Sequence, residues 1–487
     1  MEHLDVLVVG AGVSGIAAAY HLQSRCPEKT FALLEAREAS GGTWDLFRYP
    51  GIRSDSDMFS FAFSFQPWPG DESIASGPAI LRYLRDTARA HGIDRRIRFG
   101  HRLMKASWDS ASARWTVEIE LQGQVDRLLF SCNFLFMCSG YYSYDQPYRP
   151  MFAGESEFAG PIVHPQSWPD GLDYHDKRVV IIGSGATAVT LVPAMAGEAV
   201  HVTMLQRSPG YLVARPSRDR VANALRKLFP RGIGHRLARL KYLVRDMAFH
   251  QMAIRLPWLT RRLLLGLLRW KIGPGHDLAR DFSPRYRPWE QRLCLVPDGD
   301  LFDSVRSRSA SVVTGEIDRF TPGGIRLTSG EVLPADIIVT ATGLNMRIMD
   351  GVALEVDGKP VSIGESTAYK GCMYSGVPNL ASAFGYANAA WTLKAELTCE
   401  YVCRLLMHMQ RNGFDSCVPR TPVAQEEGAP LLNLSSGYVL RALDKLPRQG
   451  HRAPWKSLSF YPADLVRLRY GRVDDGVMEW RVAARTH

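Results

Sequence analysis

Asp5-Val-Leu-Val-Val-Gly10-Ala-Gly12-Val-Ser-Gly15 is a short apolar run that ends in a glycine turn. The run predicts a buried strand, and Ile16 to Gln23 predicts the helix that follows. Phe31-Ala-Leu-Leu34 reads as the next strand, closed by Glu35, an acid 20 residues after the last glycine. Together these make a βαβ unit with a dinucleotide fingerprint. Gly10 makes the tight turn, Gly12 lets the backbone approach a pyrophosphate, and Gly15 lets helix and strand pack closely. The helix N-terminus offers N–H groups and a positive dipole end to phosphate. Glu35 is placed to accept hydrogen bonds from ribose hydroxyls.

The pattern recurs. Arg178-Val-Val-Ile-Ile182 leads into Gly183-Ser-Gly185-Ala-Thr187-Ala188, with alanine in the third position. The following strand, His201 to Leu205, ends in Gln206-Arg207-Ser208 rather than in an acid. An acid suits a free ribose 2′-hydroxyl, whereas arginine accommodates a 2′-phosphate. The first site therefore suits FAD and the second NADPH. Each half also closes alike, with Phe134 to Gly140 and Ile337 to Gly343 both reading as apolar strands ending in glycine. One such glycine turn is a weak signal; two in the same βαβ context are a strong one. The expected fold is α/β, with two dinucleotide-binding, Rossmann-like domains. A first FAD segment covers 1–143 and a first NADPH segment 144–210. A basic helical insert covers 211–287, a second NADPH segment 288–343, and a second FAD segment with a C-terminal tail 344–487.

Composition limits the alternatives. Of 487 residues 46% are hydrophobic and 22% charged, as in ordinary globular proteins. No apolar run is long enough to span a bilayer, since Leu256 to Trp270 is broken by Arg261, Arg262 and Arg269. The N-terminus lacks the pattern of a secretory signal, so a cytoplasmic protein is expected. The eight cysteines form no Cys-x-x-Cys and no metal spacing, so neither a bound metal nor a disulfide reductase is expected. The net charge of +10 does not point to nucleic acid, because one segment holds the whole excess. Tyr211 to Arg292 carries 19 Lys and Arg against five Asp and Glu, and the remainder is slightly acidic at 40 against 44. Such a segment can be a solvated helical face or can attract a polyanion, an anionic cofactor or a membrane surface in peripheral contact, and these readings stay open.

Between the two fingerprints stands Phe158-Ala-Gly160-Pro-Ile-Val-His164-Pro-Gln-Ser-Trp168-Pro169-Asp170. Here the chain resembles the Baeyer–Villiger monooxygenases, whose fingerprint FxGxxxHxxxWP it matches at every fixed position. Related N-hydroxylases and other flavin monooxygenases carry Phe or Tyr at the place of Trp168 and lack the proline. A second stretch, Gly42-Thr43-Trp44-Asp-Leu-Phe-Arg-Tyr49-Pro-Gly51-Ile-Arg53-Ser-Asp55, also matches the family. Phrases such as Trp391-Thr-Leu-Lys-Ala and Gly437-Tyr-Val-Leu-Arg look closest to the ethionamide-activating subgroup.

The resemblance implies FAD, NADPH and O2 as reactants, with a ketone or a sulfur compound as substrate. It implies a flavin C4a-peroxide held in a dry site by a fixed cation. Pro288-Trp-Glu-Gln-Arg292 resembles the segment that bears that cation, which places it at Arg292, with Asp55 orienting it. Gln291 stands where the family often has a lysine for the 2′-phosphate, so that task falls more heavily on Arg207 and Ser208. His164 is expected to couple the domains, not to act as a base, and Asn388 and Trp391 to line the substrate pocket. An N- or S-oxygenating enzyme without Baeyer–Villiger activity, and a non-catalytic flavin sensor, are the rival readings.

Overall fold

The computed structural model describes residues 1–124, 126–420, 428–432 and 435–483. Parts of the expected tail, 421–427, 433–434 and 484–487, lie outside the described residues. Strand Glu2–Val9 is the centre of the first domain, parallel to Phe31–Leu34 on one side and to Arg127–Met137 on the other. Helix Val13–Arg25 follows it as the fingerprint requires. The closing strand is longer than the apolar run suggests and leaves the sheet at Met137. Gly10 shows what the glycine turn makes possible: at φ 104° a Cβ there would lie 2.7 Å from the Cys138 carbonyl oxygen. The chain beyond 344 returns to this nine-stranded sheet, with Ala353–Val356 along His101–Asp109 and Leu380–Ser382 along Arg127–Met137.

The second sheet has five strands in the order Ala310–Thr314, His201–Gln206, Arg178–Ile182, Ile337–Thr340, Ile162–Val163. All its pairings are parallel. A parallel sheet covered on both faces needs side chains that are apolar on both sides, which is why Val-Val-Ile-Ile and Ile-Ile-Val read as unbroken runs. The fifth strand belongs to the linker motif. Phe158, just before it, packs with Val180, Ile182, Phe320 and Ile338. Gly160 has no room for a side chain, since a Cβ would lie 2.1 Å from the Asp336 carbonyl oxygen.

The insert folds as helices Arg220–Leu228, Arg231–Arg255, Pro257–Ile272 and Leu278–Asp281. Asp219 caps the first of these through Ala222 N and also accepts a bond from Tyr242 Oη at 2.9 Å, tying two helices together. The insert divides its packing between the two domains. Ala238 and Tyr242 join the core of the first domain, whereas Leu268 and Ile272 join that of the second. Its helices are too few and too thin to bury a core of their own, so they spend their apolar faces on the two larger domains.

Candidate active site

A cavity of about 510 Å³ opens where the two domains and the insert meet. Gly10, Gly12, Glu35 and the stretch Gly41 to Trp44 form its first wall. The Glu35 carboxylate accepts backbone bonds from Ala11 (2.9 Å) and Arg37 (3.1 Å). Burial raises its pKa, against the pull of those two bonds. Gly42 sits at φ 55°, which starts the short helix Thr43–Leu46. Arg37 and Arg85 each hold Asp45 of that helix at 2.6 Å, and Thr43 Oγ1 bonds Tyr144 Oη at 3.2 Å. Trp44 is set by this framework on the cavity wall.

The rest of the same loop crosses to the other domain. Tyr49 lies against the Thr187 side chain, and burial pushes its phenol up to about 12. Gly51, at φ 72°, abuts the second fingerprint helix, where a Cβ would stand 2.6 Å from Ala194 Cβ. Arg53 forms an ion pair with Asp300. Asp55 then meets Arg292, with Nη1 to Oδ2 at 3.3 Å. Arg292 Nη2 also donates to Tyr141 Oη at 3.3 Å. The Tyr141 oxygen, then Tyr142, Tyr438 and Asp55, raise the guanidinium's pKa, against the opposing effect of desolvation. Arginine is in any case charged at every working pH. Trp289, three residues earlier, adopts φ 73°, a costly conformation for a bulky residue.

Three buried polar atoms lining the cavity have no protein partner among the described residues: Ser139 Oγ, Trp289 Nε1 and Arg292 Nε. Buried donors are rarely left so, and together they fit a ligand with acceptor groups. Asn388 and Trp391 line the cavity as well. The Trp391 indole donates to Ser14 Oγ at 2.8 Å, and its ring lies 5.1 Å from that of Tyr141. The Asn388 amide lies 3.1 Å from His250 Nε2 and donates to the Ser459 carbonyl at 3.1 Å.

At the second fingerprint, Gly183 turns at φ 143° and Ala188 is buried at the start of helix Ala186–Met195. A Cβ at Gly185 would meet nothing within 4 Å, so the helix N-terminus is open to a phosphate. Arg207 and Ser208 are exposed at the end of their strand, and the Ser208 carbonyl accepts from Ser184 Oγ at 3.0 Å. Neither residue lines the large cavity. The linker motif reaches this region through His164. Its Nε2 donates to the Gly343 carbonyl at 3.2 Å, while its Nδ1 accepts from Gln166 N at 3.1 Å. That pairing needs a neutral ring protonated at Nε2, and burial lowers the pKa accordingly. Gln166 in turn donates to the carbonyls of Ser143 (2.9 Å) and Tyr144 (2.8 Å). Trp168 packs on the second domain's core, and Pro169 is exposed beside it.

Sequence reasoning named Arg292 and Asp55 but missed the tyrosines around them. The Gly42–Asp55 stretch also does more than place Asp55, since Tyr49, Gly51 and Arg53 join this signature loop to the second domain. A glycine and an arginine inside a matched motif are the signals that could have suggested a crossing.

The family model "Flavin-binding monooxygenase-like" matches residues 4–225. The chain is similar to FAD-containing monooxygenase EthA of Mycobacterium tuberculosis, with 52% identity over 97% of each chain. It is also similar to the putative FAD-containing monooxygenase MymA of the same species, with 46% identity over 100% of this chain and 99% of the relative. Among solved structures, an oxidised steroid monooxygenase bound to NADP matches with a TM-score of 0.78 and 23% identity, covering 99% of this chain and 100% of that one. An open cyclohexanone monooxygenase matches with a TM-score of 0.76 and 20% identity, over 99% and 100%. At such identities the structures speak for the shared fold, and the sequence relatives for the family. The chain belongs to the flavin-binding monooxygenase-like family, as an oxidoreductase that uses FAD and NADPH.

Proposed function

We propose that this enzyme is a Baeyer–Villiger monooxygenase. It inserts one oxygen atom of O2 beside a ketone carbonyl to give an ester or lactone, and it oxygenates sulfides or thioamides at the same site. The observation that carries the reading is Arg292: a permanent cation on the wall of the large cavity, held by Asp55 and Tyr141, with its Nε left free. When bound, FAD reduced by NADPH would supply the electrons that activate O2. Gly10, Gly12, Gly15, Glu35 and the Gly42–Trp44 stretch would hold FAD. Gly183, Gly185, Thr187, Ala188, Arg207, Ser208 and Gly343 would hold NADPH.

Arg292 stabilises negative charge that develops on oxygen, including the oxyanion formed when a ketone carbonyl is attacked. A preorganised donor in a dry site does this without the reorganisation that water would need. Asp55 and Tyr141 position it by fixing both guanidinium ends. Asn388 and Trp391 shape the pocket, and His164 with Trp168 couples the linker to the second nucleotide site. We also place the enzyme's work at a membrane surface, touched through the basic insert; no described helix is long and apolar enough to cross one. The test is NADPH consumption by the FAD-loaded protein with and without a panel of ketones and thioethers, with products identified by mass spectrometry. Ketone-stimulated turnover with ester formation is expected. Sulfoxide formation with no ester from any ketone would contradict the reading.

A further inference from the structure

Of the 26 large apolar side chains that are exposed among the described residues, 12 fall between Val221 and Trp270. That stretch holds about a tenth of the chain, so the concentration is local and far above the scatter normal on a protein surface. On helix Arg231–Arg255 the exposed Ile233, Leu240, Val244 and Ile254 occupy about 80° of arc at 3.6 residues per turn. The buried Ala238, Tyr242 and Ala253 occupy the opposite side. The stripe continues through the exposed Leu256 and Trp258 into helix Pro257–Ile272. There Leu263, Leu267 and Trp270 are exposed at helical spacing, while Leu264, Leu268 and Ile272 face the core. The apolar run visible in the sequence is thus two faces, one packed and one bare.

The charges say what fits the bare face. Between 221 and 270 there are 11 Lys and Arg and one Asp or Glu, which is Asp246. Arg226, Arg239, Lys241, Arg245 and Arg261 are used inside the protein, on carboxylates, carbonyls or a tyrosine hydroxyl. Lys227, Arg236, Arg255, Arg262 and Arg269 are exposed, interleaved with the apolar stripe, and make no ion pair among the described residues. Exposed leucine, isoleucine and tryptophan with unpaired arginines at their flanks match the interface of an anionic bilayer, where rings and aliphatic chains enter the headgroup boundary and guanidinium groups meet phosphates.

We propose that the outer faces of helices Arg231–Arg255 and Pro257–Ile272 form a docking surface for an anionic lipid bilayer. The proposal rests on the reading of the insert as a membrane-facing element and names the face and the lipid charge. It has a consequence for access, because Asp246 and Phe249, on the inner side of the same long helix, line the active-site cavity. One helix then separates the bilayer from the cavity, and an apolar ketone dissolved in the lipid has a short way in.

The FAD-loaded enzyme is sedimented with vesicles of phosphatidylcholine alone and of phosphatidylcholine with phosphatidylglycerol, at low and high salt. Binding is expected with the anionic vesicles only, fading at high salt. Replacing Arg236→Gln, Arg262→Gln and Arg269→Gln together should weaken partition on the order of a hundredfold, at about fivefold per charge. Leu240→Ser with Trp270→Ser should also release the enzyme, and both variants should keep bound flavin and turnover of a water-soluble ketone. Binding to anionic vesicles that neither variant weakens would overturn this face while leaving membrane association standing. No binding to any vesicle would overturn both. Concentration-dependent self-association abolished by Leu240→Ser, without vesicle binding, would assign the face to a second copy and overturn the proposal.

Discussion

Arg292 makes two bonds of 3.3 Å, one to Asp55 and one to Tyr141, and its Nε has no partner among the described residues. A group held at two points and free at a third is set to bind something the protein does not supply. Arg292→Ala is expected to keep FAD and its reduction by NADPH but to lose ester formation, with NADPH oxidised and hydrogen peroxide released instead. Separate assays of NADPH, peroxide and ester check this, and a normal ester yield would remove Arg292 from the chemistry. Arg207 is exposed at the end of its strand and unobstructed. Arg207→Ala is expected to raise KM for NADPH at least about tenfold over any change for NADH, the value of one charge-assisted contact. Equal losses for both nucleotides would show that another group reads the 2′-phosphate. The places of both arginines, on the cavity wall and at a strand end, were legible in the sequence, one from its motif and one from the strand before it. Tyr141, Tyr142 and Tyr438 were not, because Tyr438 lies in a far segment and only the tertiary fold brings it to Arg292.

At the level of elements, the strands and turns were legible because a parallel sheet demands unbroken apolar runs and a phosphate turn demands glycine. Phe31–Leu34 and Arg178–Ile182 begin and end where their patterns do. The long helices of the insert were legible as helices but not in their allegiance, since periodicity shows that a face is apolar and not what it packs on. The linker motif shows the same limit: its spacing was plain, its contacts were not. Gly160→Ala is expected to lower stability by about 1–3 kcal/mol, because a Cβ set 2.1 Å from the Asp336 carbonyl forces the backbone to move. A thermal melt that matches wild type would show that the strand gives way freely.

His164 adds a pH dependence at this scale. Its pKa is depressed in the folded protein, chiefly by burial, so the unfolded chain binds the proton first as pH falls. The stability it contributes is therefore full above the ordinary imidazole pKa of about 6.5 and is lost as pH falls from there toward its lower folded value. Protonation also removes the Nδ1 acceptor that Gln166 uses. Wild type should lose melting temperature on mild acidification more steeply than His164→Asn. Parallel curves for the two would show that His164 does not titrate differently on folding.

The whole molecule is two nucleotide domains joined at one cavity, and several connections cross between them. The signature loop crosses through Tyr49, Gly51 and Arg53, the linker through His164 and Gln166, and the insert through cores on both sides. These joints hold the two cofactor sites at one shared cavity. Under the proposed function this space serves to deliver one atom of dioxygen to a ketone. The direct measurement gives the FAD-loaded enzyme NADPH, isotopically labelled dioxygen and a ketone, and weighs the product. An ester or lactone carrying one labelled oxygen atom is expected, formed in step with NADPH consumed. NADPH consumption that yields labelled peroxide and unchanged ketone across the panel would contradict it.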